Sequence, residues 1–118
     1  MNYIDMHCDT LAKAVEQKKE TAKKLEHTMV DAERLHRCGT KAQFFAMFLQ
    51  QKKEENWSDP GHDPDDCRSE KRKISLWYNG AEIEKQMQDM YAVYQNTMEN
   101  CADIIAPACT YEDLQRNW

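Results

Sequence analysis

His7 and Asp9 are the residues of this chain best suited to chemistry: an imidazole and a carboxylate two positions apart, closing the apolar opening run Met1-Asn2-Tyr3-Ile4-Asp5-Met6. In an extended strand successive side chains alternate faces, so residues two apart point the same way. A ring nitrogen and a carboxylate oxygen then converge on one point, as two ligands of a bound cation must. That donor pair suits zinc or a similar divalent ion. Asp5 shares the same strand face further from the end and reads as structural. The competing reading of so short a pattern is a strand end carrying two solvated polar groups.

Holding such a pair requires a rigid strand and something for it to lie against, and the sequence supplies both. Residues 3–7 read as a first strand. Thr10 can cap a helix over 11–19, where Leu11, Ala14 and Val15 mark one face. Residues 20–27 read as helical or turn, with Lys23 and Lys24 on a solvated side. Asp31 is placed to cap a short helix through Cys38, and Gly39 is a natural residue just beyond its end. The run 42–49, almost continuously apolar and broken by Gln43, suits a strand buried on both faces, as in a parallel sheet. More than thirty residues separate the two strands, enough for a right-handed helical crossover.

Residues 50–79 read as a long loop. Its Trp57-Ser58-Asp59-Pro60-Gly61-His62-Asp63-Pro64-Asp65-Asp66 stretch is turn chemistry. The acidic cluster with His62 lacks the ligand spacing and terminal Glu of a calcium loop, so a solvated loop is the expectation there. Residues 80–103 form the strongest helical pattern, with Ile83, Met87, Met90, Tyr91, Tyr94, Met98 and Cys101 on one apolar stripe. Such a stripe reads as core. Pro107 breaks the apolar link 104–106, and Thr110-x-x-Asp113 opens a terminal turn as a weaker form of a capping box.

Composition narrows the function classes. Hydrophobic residues make up 41% and charged residues 31% of 118, with a net charge of −5. An acidic balance gives no cationic footprint for nucleic acid, and the interrupted basic run 68–73 does not change that. The five cysteines, Cys8, Cys38, Cys67, Cys101 and Cys109, form no C-x-x-C pair, so free thiols and a reducing cytoplasm are the expectation. No signal-peptide apolar core and no run of about 18 apolar residues is present, so no membrane role is expected.

Taken in order, Asp5-x-His7-x-Asp9-Thr10, the helix phrase Val30-Asp31-x-x-Arg34-Leu35 and the second-strand phrase Ala42-Gln43-Phe44-Phe45-Ala46 resemble the membrane (renal) dipeptidase family. The resemblance is specific over residues 3–49 and looser beyond. Related barrel hydrolases usually carry H-x-H on the first strand, and Asp9 in the third position favours the dipeptidase branch. The resemblance implies an α/β fold, the (β/α)8 barrel, and a binuclear zinc enzyme that hydrolyses dipeptides with a metal-activated water. A barrel needs about 250 residues, so this chain would hold the N-terminal two to three βα units of an incomplete barrel, as a single partial domain over 1–118. His7 and Asp9 would bind one of the two metals, and the loop 50–79 would border the substrate pocket. The bridging carboxylate and two further histidines would lie on later strands, so no catalytic base is assigned within 1–118 and the chain alone should be inactive. Two alternatives stand beside this: a truncated, non-catalytic product, or another barrel amidohydrolase. A partial barrel leaves a strand edge and an apolar helix face open, which invites homo-oligomers.

Overall fold

A computed structural model describes residues 3–57 and 72–117 of the chain. The acidic turn with His62, Cys67, residues 68–71 of the basic run and Trp118 lie outside the described residues. The fold is a small mixed α/β arrangement in the order β1 (Tyr3–Cys8), α1 (Thr10–Glu16), α2 (Ala32–Arg37), β2 (Thr40–Phe45), β3 (Lys52–Trp57), β4 (Arg72–Trp77), α3 (Gly80–Asn100) and α4 (Tyr111–Asn117). β1 and β2 pair in parallel, with α1 and α2 in the crossover, and β3 pairs antiparallel with β4 in a separate two-stranded sheet. Among the described residues no helix is long and apolar enough to cross a membrane.

The core lies between α1, the segment after it and α3. Leu11, Ala14, Ala22, Leu25, Met90 and Val93 are buried together, and Phe45, Met47, Leu49 and Tyr94 lean on them. Leu11 and Ala14 are the inward positions of α1, as their spacing predicts. On α3 the buried line is Met90, Val93, Thr97 and Cys101, while Met87 and Tyr91 of the expected stripe stay exposed. α3 meets one helix and one loop instead of a broad sheet, so a narrower strip than the full apolar face is covered. Burial raises the Cys101 thiol pKa above the ordinary value and so keeps it protonated.

Several expected boundaries change for identifiable reasons. Asp9, not Thr10, occupies the N-cap of α1, and Thr10 is buried inside the helix with its hydroxyl donating to the Val30 carbonyl at 3.3 Å. α1 stops at Glu16 instead of Lys19, and Lys18 turns left-handed at φ 54°. Residues 20–27 form no helix; their backbone is spent on neighbours. Gln17 clamps Glu26 in both directions, with Nε2 donating to its carbonyl at 2.6 Å and Oε1 accepting from its N–H at 2.9 Å.

The carbonyls of Ala22 and Lys23 accept the first two N–H groups of α2, from Ala32 and Glu33, at 3.0 Å each. Those groups have no partner within their own helix. Asp31 caps the third, Arg34 N, at 2.8 Å, and Gly39 follows the helix at φ 73°, both as the sequence predicts. α4 opens on the expected Thr110–Asp113 pair, with Asp113 N donating to the Thr110 hydroxyl and Thr110 N to the Asp113 carboxylate, each at 3.1 Å.

The long-loop expectation for 50–79 is corrected in part. Residues 52–57 and 72–77 are strands in continuous antiparallel register, Lys52 opposite Trp77 through Trp57 opposite Arg72. Polar, charge-rich strands lack the apolar alternation that the sequence reading relied on, and cross-strand pairing supplies what patterning does not. Gln86 of α3 holds the base of this hairpin, accepting from Gln50 N at 2.9 Å and donating to Gln50 O at 3.1 Å.

The second strand is not buried on both faces. Phe44 and Phe48 are exposed, and Thr40 Oγ1 and Gln43 Oε1 are buried without a hydrogen-bond partner among the described residues. Among the described residues β1 is the strand that pairs with β2.

Thr97 gives a stability test of the helix–loop contact. Its buried hydroxyl donates to the Val93 carbonyl at 2.6 Å and accepts from Ala22 N at 2.8 Å. Thr97→Val keeps the shape and strands the buried Ala22 N–H. The expected loss is about 1–3 kcal/mol, read from urea denaturation, whereas Thr97→Ser should retain most of the stability.

Candidate metal centre

Both sequence-predicted ligands sit where β1 gives way to α1, and the way they meet differs from a straight strand. Between Asp5, opposite Gln43, and Cys8, opposite Phe45, β1 has one residue more than β2. That is a β-bulge over Met6 and His7, which kinks the strand and re-aims side chains. The bulge also shifts the alternation. Ile4 and Met6 are exposed, yet Cys8, two further on, turns into the core. Asp5 Oδ1 accepts from the His7 N–H at 3.4 Å, a long contact.

Asp9 has left the strand. Its backbone (φ −97°, ψ 27°) forms the N-cap of α1 and its carbonyl accepts from Lys13 N at 3.2 Å. Aspartate at an N-cap ordinarily turns its carboxylate onto the helix N–H groups. Here the side chain makes no cap hydrogen bond. It turns back instead, placing Oδ1 3.4 Å from His7 Nε2. The two side chains are 65% and 52% exposed, so the pair is open to solvent and to any ion in it.

The donors suit a divalent cation. With zinc–nitrogen and zinc–oxygen bonds of about 2.0–2.2 Å and a tetrahedral angle, two ligands of one zinc stand about 3.3–3.5 Å apart. The His7–Asp9 separation of 3.4 Å falls in that range and is also that of an ordinary ion pair. The set is nevertheless short. Among the described residues no group of three or more His, Cys, Asp or Glu is placed to hold a metal, while a catalytic zinc takes about three protein ligands and a structural one four.

Glu112 lies in the first turn of α4 and joins no such group. The sequence missed two contributions to this geometry, the bulge at Met6–His7 and the uncapped carboxylate of Asp9. A bulge depends on the partner strand, which local pattern does not encode.

An open groove of about 1100 Å³ runs along β1 and β2, walled by residues such as Ile4, Met6, Phe44, Tyr94, Ile105 and Leu114. His7 and Asp9 do not line it. Its wall mixes apolar and polar side chains and includes Tyr94, whose phenol is pushed above its ordinary pKa first by burial and then by the neighbouring Cys109. No protein-family model, curated protein or solved structure matches this chain.

Proposed function

We propose that this chain is the N-terminal part of a zinc-dependent dipeptidase on a (β/α)8 barrel, in which His7 and Asp9 hold one of two metal ions. The observation that carries the reading is the Asp9 carboxylate, which forgoes the helix cap beside it and stands 3.4 Å from His7 Nε2. Three further features support it: the parallel pairing of β1 with β2, the place of the pair at the C-terminal end of the first strand, where barrel enzymes build their sites, and the order of the three phrases in the sequence.

When bound, zinc lowers the pKa of a coordinated water toward about 7 and polarises a carbonyl. The chain's own part is to present one neutral nitrogen and one anionic oxygen at a fixed separation. The bulge sets the ring of His7, and the first turn of α1 sets Asp9. Coordination through Nε2 leaves Nδ1–H for a hydrogen-bond acceptor that fixes the ring. In this reading the other ligands and the pocket for the substrate carboxylate come from residues beyond 118, and the enzyme works in the cytoplasm.

The test is zinc binding by calorimetric titration of the purified chain, beside His7→Ala and Asp9→Ala. Binding that disappears in both variants is the expected result, with no dipeptide hydrolysis by residues 1–118 alone. Zinc binding that survives unchanged in both variants overturns the assignment of His7 and Asp9 as ligands.

A further inference from the structure

We draw no further inference here: the strongest candidate, the open groove along β1 and β2 walled by Ile4, Met6, Phe44, Tyr94, Ile105 and Leu114, carries nothing because no contact among the described residues shows what covers it.

Discussion

Asp31→Ala should cost about 3–4 kcal/mol, one of the two heaviest losses that any single substitution in this chain is expected to produce. Asp31 is 1% exposed, yet it is a charged residue, and its two oxygens are fully engaged. Oδ1 accepts from Arg34 N at 2.8 Å and so caps α2. Oδ2 accepts from Leu25 N at 3.1 Å and from Arg34 Nη1 at 2.6 Å. Arg34 then reaches back to the Leu25 carbonyl and the Thr28 hydroxyl, each at 3.3 Å.

Removing the carboxylate strands the buried N–H of Leu25, uncaps the helix and leaves the guanidinium without its counter-ion. The Arg34 side chain is 35% exposed, so water recovers part of the ionic loss and the figure stays below the upper end for a sealed pair. A chain of this length is held by about 6–18 kcal/mol, so the midpoint in urea should fall by roughly a sixth to two thirds, with the slope unchanged. Asp31→Asn keeps a good cap and an acceptor for one N–H, and should lose about half as much. Equal losses in the two variants would mean that the charge carries the whole effect and the retained cap adds nothing.

That cluster also explains which parts of the molecule were legible in the sequence. The Val30-Asp31-x-x-Arg34-Leu35 phrase is local: a cap three residues before the N–H that donates to it, an arginine one turn on, and a buried Leu35. Local rules read it correctly, as they read the α3 start at Gly80 and the α4 start at Thr110–Asp113. The strand phrase Ala42–Ala46 likewise named a strand, because β-rich apolar runs have few other places to go. What the local pattern could not carry was anything set by a distant partner. The hairpin of β3 and β4 is polar and pairs across a gap in sequence. The site was half legible for the same reason. The residue types and spacing of His7 and Asp9 announce a ligand pair, whereas the bulge and the turned-back carboxylate that bring them to 3.4 Å depend on β2 and α1.

Leu11→Ala is expected to cost about 2–5 kcal/mol, and it separates scaffold from site. Leu11 is 1% exposed and is the largest side chain of α1 in the core, wedged among Ala14, Ala22, Leu25, Met90 and Val93. Three of the elements it joins meet nowhere else as a group: the helix after β1, the loop before α2 and the long α3. Two of its neighbours are alanines, which have no side chain to swing into the void, so the cavity should persist and the loss should fall in the upper half of the range. Leu25→Ala empties the same space from the other wall. The double variant should therefore lose less than the sum of the two singles, since the second truncation enlarges a cavity already open.

His7 and Asp9 touch none of these residues and stand in solvent. At urea concentrations where the Leu11→Ala chain is still folded, its zinc affinity should equal that of the parent. A parallel fall in affinity and stability would show instead that α1 docking holds Asp9 in place, because the carboxylate rides on the first turn of the helix that Leu11 anchors.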